Sequence, residues 1–297
     1  MKARPVQRGK HISLVNEETG EKLQSVSEIL AALPKDALIN WAGSATADYA
    51  VDNWGESGCA NCKTSGTGLS AMPVAARLSK ISKGRYEARD AAANRGTEVH
   101  HYGERLMAGE RVTVPPELVG YVDSYRRFME EFDLHPIHVE RPVYHSVYAF
   151  GGRLDVEGDV ILPDTREFAD VPRDGDGFSR GLFDAKTSKS GIFGETGLQL
   201  TGYRYADTMI LESGEHVSRD LVDFTAGIHI RADGYEVVRV DSSPDVFREF
   251  RYLQQISRLA VLDKGAGLKA LILGRIPPPL MAQYRLVEVP AEEGPGF

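Results

Sequence analysis

Residues 151–160 read GGRLDVEGDV and residues 182–188 read LFDAKTS. Both stretches alternate as β-strands do, and side chains two residues apart on a strand point to the same side. Asp184 and Lys186 therefore share one face of the second strand. A polar, turn-rich segment joins the two stretches, so we expect them to pair as a hairpin that brings Asp155 close to Asp184.

Two carboxylates at such short range repel each other unless a cation lies between them. Mg²⁺ and Mn²⁺ prefer hard oxygen ligands of this kind, and His100, on a predicted helix, would add a nitrogen ligand that Mn²⁺ tolerates. A bound metal lowers the pKa of water and polarises a phosphoryl oxygen, and the Lys186 ammonium would orient that water. This set of side chains suits phosphodiester hydrolysis.

Each of these residues also has a structural interpretation. Asp159 competes with Asp155 as the ligand, and Asp155 is preferred because it follows the G-x-x sequence directly and apolar residues flank it. Asp184 and Lys186 would be an unremarkable ion pair on an exposed edge strand. The apolar residues before them favour a central strand instead, where a charged pair is costly unless it is used.

The elements along the whole chain predict an α/β fold. We expect a central mixed β-sheet of about five strands flanked by helices, with an N-terminal helical region packed on it. The predicted organisation is an N-terminal hairpin and helical region at residues 1–93, a core at 94–262 and an irregular, proline-rich tail at 263–297. Helices are predicted to start near Ser25, Pro34, Pro73, Asn94, Pro115, Gly197 and Pro244. Ser25 and Glu28 have the spacing of a capping box, Thr97 is a candidate N-cap, and the helix from Gly197 is expected to reach Leu211. The stretch Glu18-Thr19-Gly20 predicts a turn between two short strands.

Charge restricts the partners of the protein. The 297 residues include 43 acidic and 35 basic side chains, a net charge of −8, so a general nucleic-acid coat is excluded. DNA would have to be bound through metal ions or a local basic surface. One helical stretch has the densest basic content and is a candidate for contacts with the DNA backbone, although a solvated helix face explains it equally well. Its basic residues are Arg77, Lys80, Lys83, Arg85, Arg89 and Arg95.

The chain has two cysteines, Cys59 and Cys62, in a Gly- and Ser-rich loop. They exclude a disulfide-rich scaffold and a cluster held by four cysteines, and we interpret them as thiols without a redox or zinc role. No apolar run approaches the ~20 residues of a membrane span, and the N-terminus lacks the apolar stretch of a signal peptide. We therefore expect a soluble cytoplasmic protein with no membrane partner.

Four motifs in order resemble those of the PD-(D/E)XK nuclease superfamily, in its RecB-like exonuclease branch. They are GTEVH at 96–100, GGRLD at 151–155, DAK at 184–186 and QLTGY at 199–203. The resemblance covers about the central third of the chain and implies a restriction-endonuclease-like core. The N-terminal part also resembles the leader of RecB-like exonucleases encoded by phages of actinobacteria, for which the location would be the cytoplasm of the bacterial host.

The resemblance implies a role for each matched residue. His100, Asp155 and Asp184 would be metal ligands together with the backbone carbonyl of Ala185, and Lys186 would be the catalytic lysine. Around them, Gln199 and Tyr203 would position the DNA strand or the lysine, and Glu104 would support the metal through water. The cofactor would be Mg²⁺ or Mn²⁺. No iron–sulfur cluster is expected, because the CRISPR-associated members that carry one use four cysteines.

The implied function is a metal-dependent DNA exonuclease that hydrolyses phosphodiester bonds at DNA ends in recombination or repair. An endonuclease of the same superfamily and a catalytically idle DNA-binding subunit are the alternatives. The partner would be single- or double-stranded DNA. The resemblance is also compatible with a homo-oligomer and with a recombination partner protein.

Overall fold

A computed structural model describes residues 1–8, 11–33, 36–55, 67–188 and 191–263 of the chain. Cys59, Cys62 and nearly all of the predicted tail at 263–297 lie outside the described residues. Within those residues, none of the helices combines the length and the apolar character needed to cross a membrane.

The described chain forms twelve strands and six α-helices, together with short 3₁₀ turns. The strands are β1 (Ala3–Arg8), β2 (His11–Asn16), β3 (Gln24–Ser25), β4 (His135–Val139), β5 (Pro142–His145), β6 (Phe150–Arg153), β7 (Val156–Ile161), β8 (Phe178–Lys186), β9 (Thr208–Ile210), β10 (His216–Ser218), β11 (Phe224–Arg231) and β12 (Gly234–Val240). The helices are α1 (Val26–Leu30), α2 (Asp36–Asp52), α3 (Val74–Met107), α4 (Val119–Glu131), α5 (Gly194–Arg204) and α6 (Pro244–Asp263).

The central sheet has five strands in the order β12-β11-β8-β7-β4. Its only parallel pair among these strands is β8 with β11, so the sheet is mixed, and the predicted α/β class is confirmed. β7 and β8 pair antiparallel with Val156 opposite Phe183, as the hairpin prediction requires. β8 is the middle strand, which removes the interpretation of Asp184 and Lys186 as an edge pair.

A second five-stranded sheet, ordered β10-β9-β5-β6-β3, was not predicted. The alternating pattern from β6 into β7 looks continuous, but Leu154 and Asp155 form a bend at which the chain passes from one sheet to the other. The predicted helix over 197–211 is wrong at its end. It stops at Arg204, and β9 follows because Asp207 accepts hydrogen bonds from the backbone and hydroxyl of Ser146, which places the chain beside β5.

The N-terminal segment combines a confirmed and a corrected prediction. Ser25 and Glu28 form the predicted capping box, in which each side chain accepts a hydrogen bond from the other residue's backbone N–H. The hairpin, however, is formed by β1 with β2. The turn predicted at residues 18–20 leads to a short pairing with the other edge of β2, a bridge between Val15 and Lys22. It goes no further, because Gln24 and Ser25 pair with β6 instead.

Helix α3 is one helix of 34 residues, where two helices starting near residues 73 and 94 were expected. Thr97 is not an N-cap, because its hydroxyl donates within the helix to the Ala93 carbonyl. Residues 93 and 94 therefore lie inside a continuous element. The first half of α3 packs on α2, where the Tyr49 ring occupies the space that a side chain at Gly84 would need.

Two apolar cores lie on opposite faces of β8. Phe183 packs with Val99 of α3 and Phe128 of α4, whereas its neighbour Leu182 packs with Leu200 of α5 in the core that also includes the second sheet. The alternation of side chains along β8 thus joins both layers. The end of β8, where Asp184 and Lys186 lie, is therefore fixed by apolar packing on both faces of the sheet.

A buried ion pair joins helix α5 to strand β7. Arg219 donates to the carbonyl oxygens of Tyr203 and Ala206 at the end of α5 and to the carboxylate of Glu157, at 2.5 Å. The side chains of Arg219 and Glu157 are 4% and 8% exposed. Burial at this level makes the pair costly to break, since either partner alone would be an uncompensated charge in the core.

Replacing Arg219 by Met should lower the free energy of unfolding by about 3–5 kcal/mol, because Glu157 is left buried without its cation. Urea unfolding followed by circular dichroism measures this loss. Arg248→Met is the matched control, since Arg248 forms an exposed pair with Asp245, and should cost less than about 1 kcal/mol. Equal losses in the two variants would contradict the structural role given to Arg219.

Candidate metal centre

The predicted metal ligands come from three elements that meet at the end of β8. Asp155 lies in the bend between β6 and β7, and Asp184 and Ala185 lie on β8. His100 is on the second half of α3, which packs on the central sheet through Val99. The structure therefore brings together residues that are up to 85 positions apart in the chain.

The contacts of His100 and Asp155 converge on Ala185. Nε2 of His100 lies 2.8 Å from the Ala185 carbonyl oxygen, and Nδ1 lies 3.5 Å from Oδ2 of Asp155. The Ala185 N–H donates to the same Asp155 oxygen at 3.1 Å. Adjacent ligands of an octahedral ion with bonds of ~2.1 Å lie about 3 Å apart, so the spacing of His100 and the Ala185 carbonyl fits ligands of one Mg²⁺ or Mn²⁺ ion.

Asp184, Lys186 and Gln199 form a closed ring of polar contacts beside this group. Nζ of Lys186 lies 2.6 Å from Oδ2 of Asp184 and donates to Oε1 of Gln199 at 3.1 Å. Nε2 of Gln199 in turn donates to Oδ1 of Asp184 at 2.7 Å. Gln199 thus holds both the Lys186 ammonium and the Asp184 carboxylate in place. Of the two roles predicted for Gln199, this favours positioning the lysine over positioning the DNA strand.

Tyr203 does not face the surface. It is 8% exposed, and a Cβ added at Gly152 would lie 2.8 Å from its ring. Burial and the carboxylates of Asp155 and Asp184 raise the pKa of its hydroxyl, so it stays protonated. Tyr203 lies one helical turn after Gln199 and forms a side-chain hydrogen bond with it. Its burial favours a role in holding Gln199 over a direct contact with DNA.

Glu140 is a residue of this centre that no sequence motif indicated. Its carboxylate, the imidazole of His100 and the carboxylate of Asp155 offer ligand atoms that all lie within 4.8 Å of one another. Its backbone has φ of +52°, a left-handed conformation that is uncommon for a residue other than glycine, and its N–H donates to the Asp155 carbonyl. Non-glycine residues in strained conformations cluster at functional sites. The sequence signal was an acidic residue before a strand, which is too common to single out.

Burial and mutual repulsion raise the pKa values of two of these carboxyls. The pKa of Asp184 rises to about 6, first because the side chain is almost fully buried and second because Asp155 is close. The pKa of Glu140 rises to about 7 for the same two reasons, in the same order. Both groups therefore resist ionisation in the metal-free protein, and a divalent cation would relieve this by neutralising their charge.

A cavity of about 440 Å³ opens onto the centre between α3 and the bend at Asp155. Glu104 lines it one turn after His100, as their spacing predicts, but its nearest ionic partner is His101 at 3.9 Å. Arg153 lines the opposite side, with Nε at 2.6 Å from the Glu140 carboxylate. Asp159, the competing ligand, is paired with Arg180 along the hairpin and is absent from the residues that line this cavity.

The basic residues of α3 do not form one strip. Arg77 donates to the carbonyls of Ser70 and Met72, Arg89 pairs with Asp90, and Arg95 lies over the Tyr121 ring. The side chain of Arg85 lies outside the described residues. Lys80 and Lys83 are exposed and lie on one side of the helix, about 60° apart at 3.6 residues per turn. These two lysines are the remaining candidates for phosphate contacts within the described part of the helix.

Comparisons with known proteins add no further identification. No protein-family model matches the chain, and the comparison with curated proteins finds no match. Any function assigned to the protein therefore depends on the geometry and chemistry of this centre.

Asp184→Asn should remove part of the pH dependence of stability of the metal-free protein. Because the folded pKa of about 6 lies above the ordinary value of 3.8, stability is lost as pH rises between these values. A rise of this size corresponds to about 3 kcal/mol. We expect the variant to melt higher than the wild type at pH 8 and to lose this advantage below pH 4. Melting temperatures in chelator across this range test the prediction.

Glu104→Gln is the control for this measurement, since Glu104 is half exposed and should leave the pH profile as it is in the wild type. A difference between Asp184→Asn and wild type that stays constant from pH 4 to pH 8 would count against the raised pKa.

Proposed function

We propose that the protein is a metal-dependent deoxyribonuclease, an exonuclease that hydrolyses phosphodiester bonds at DNA ends in recombination or repair. The observation that carries the proposal is the group of His100, Asp155 and Glu140 beside the Ala185 carbonyl, with Asp184 and Lys186 adjoining it on β8. The oxygen-rich composition suits Mg²⁺ or Mn²⁺, and the one imidazole is tolerated better by Mn²⁺. We also propose a cytoplasmic location, in the bacterial host if a phage encodes the chain.

A divalent ion bound here would supply a water of lowered pKa and a positive charge next to the scissile phosphate. The protein's own residues have separate tasks around it. Asp155 and Asp184 would provide the negative charge that holds the ion, and the Ala185 N–H fixes the orientation of the Asp155 carboxylate through a hydrogen bond. His100 is held at the carbonyl of the same residue.

Lys186 would orient the attacking water and stabilise the charge that grows on the phosphate in the transition state. It is suited to this because Asp184 and Gln199 hold its ammonium at the edge of the buried carboxylates, where it is still one-third exposed. Since a preorganised charge costs no reorganisation during the reaction, such contacts contribute strongly to turnover.

Lys186→Ala should lower turnover by ~10²–10³, while metal and DNA still bind, because the contact acts mainly in the transition state. Cleavage of a fluorescently labelled linear duplex in Mn²⁺ measures turnover, and calorimetry measures metal binding. Lys22→Ala is the control, because Lys22 pairs with Glu28 and neither residue belongs to the metal centre. Activity in Lys186→Ala equal to wild type, or wild-type cleavage that persists in excess EDTA, would refute the nuclease proposal.

The same assay on two substrates distinguishes the alternatives. An exonuclease degrades a linear duplex or its single-stranded form and spares a closed circle of the same sequence. An endonuclease of the same superfamily cleaves both, and an idle DNA-binding subunit cleaves neither.

Replacing Lys80 and Lys83 together by Ala should flatten the salt dependence of DNA binding by up to about two units of the logarithmic slope, one for each phosphate contact removed. Fluorescence anisotropy of a labelled oligonucleotide across a range of salt concentrations measures the slope. Lys2→Ala with Arg4→Ala removes the same charge from β1 and its flank and should leave the slope unchanged. An unaltered slope in the Lys80 and Lys83 variant would mean that this side of α3 faces solvent and makes no phosphate contact.

A further inference from the structure

The cavity at the metal centre has an unbalanced charge. Three carboxylates line it, those of Glu104, Glu140 and Asp155, and among the described residues that line it Arg153 is the only arginine or lysine. A phosphodiester is negatively charged and would be repelled by this surface unless cations compensate. The metal supplies one such cation, and Arg153 is placed to supply another.

The Arg153 side chain contacts Glu140 but remains accessible to solvent. It ends β6, where it pairs with Pro142, and it stands two residues before Asp155. Its Nε lies 2.6 Å from Glu140, yet half of its side chain is exposed. A guanidinium has five N–H donors in a planar fork, so contact through Nε leaves donors on two further nitrogens that match a phosphate.

Glu140 has two competing uses. It is the ion-pair partner of Arg153, and it belongs to the group with His100 and Asp155 that could hold a metal ion. A carboxylate that ligates a divalent cation attracts the guanidinium less strongly, because its charge is already neutralised. The two positive groups therefore compete for one carboxylate.

We propose that Arg153 binds a phosphate of the substrate DNA strand, and that metal binding to Glu140 releases it to do so. This inference rests on the proposed nuclease function and adds to it a residue that couples metal loading to substrate binding. Before the metal binds, the ionised Glu140 carboxylate and Arg153 neutralise each other. Afterwards the cavity presents the ion and the guanidinium side by side to the phosphate.

Arg141 is close to Arg153 but, unlike Arg153, does not line the cavity. Arg141 adjoins Glu140 in the chain and also lies beside the end of a strand, but its guanidinium pairs with Glu212 and is absent from the residues that line the cavity. Lys186 is the other nearby cation, and it is held on the inner side by Asp184 and Gln199. Arg141→Ala is therefore the matched control for Arg153→Ala.

The test measures DNA and metal binding separately in a Lys186→Ala background, in which cleavage should be slowed by ~10²–10³. In Mn²⁺, Arg153→Ala should weaken binding of a labelled single-stranded or blunt-ended oligonucleotide by about tenfold or more, the effect of a lost charge-assisted contact. In EDTA the loss should be clearly smaller, because Glu140 still holds the arginine. Mn²⁺ affinity measured by calorimetry should rise, since the competing cation has gone, and an unchanged affinity would count against the competition for Glu140.

Opposite directions for DNA and metal distinguish this role from structural damage, which would weaken both. The proposal is overturned if Arg153→Ala binds DNA as Arg141→Ala does, if its DNA defect is equal in EDTA and Mn²⁺, or if its Mn²⁺ affinity falls. Failure of the wild type to cleave any DNA with Mn²⁺ or Mg²⁺ would instead refute the nuclease function. An unaffected Arg153→Ala beside an active wild type refutes only the role given to Arg153.

Discussion

The repulsion between Asp155 and Asp184 is the constraint on which the centre depends. Burial of Asp184 in the middle strand of the sheet makes its negative charge unfavourable, and Asp155 adds to the penalty. The structure partly compensates with donors from three sides: the Lys186 ammonium, the Gln199 amide and the Ala185 N–H. Carboxylates kept together in this way lower the stability of the fold when no cation is present, which is a feature of sites organised for function and not for packing.

The bend at Leu154 and Asp155 explains how this cluster forms. One strand, β6, belongs to the second sheet and the next, β7, to the central sheet, so the residues at the crossing lie where the two sheets meet. Glycine is required nearby, because a side chain at Gly151 or Gly152 would collide with β5 or with the Tyr203 ring. Arg153 and Asp155, two residues apart at this crossing, both line the cavity.

Short-range patterns predicted much of this arrangement. Alternation placed Asp184 and Lys186 on one face, and the polar connection predicted the antiparallel pairing of β7 with β8 that brings Asp155 near them. The predictions that failed depended on contacts between distant segments. The β9 strand forms because Asp207 binds Ser146, and Glu140 joins the centre through a left-handed backbone conformation that no local pattern encodes.

The overall acidity of the chain gives the local cations their importance. With a net charge of −8, long-range attraction of DNA is unfavourable, so on the proposed function binding would have to come from contacts close to the cleavage position. Of the basic side chains on α3 that are described, Arg77, Arg89 and Arg95 already have partners within the protein. Lys80 and Lys83 remain exposed on α3, and at the centre the cations that would face a phosphate are the proposed ion, Lys186 and Arg153. On the proposed function, Glu140 holds Arg153 until the ion arrives. The metal would then control substrate binding as well as chemistry, and an acidic protein would avoid binding DNA that it cannot cleave.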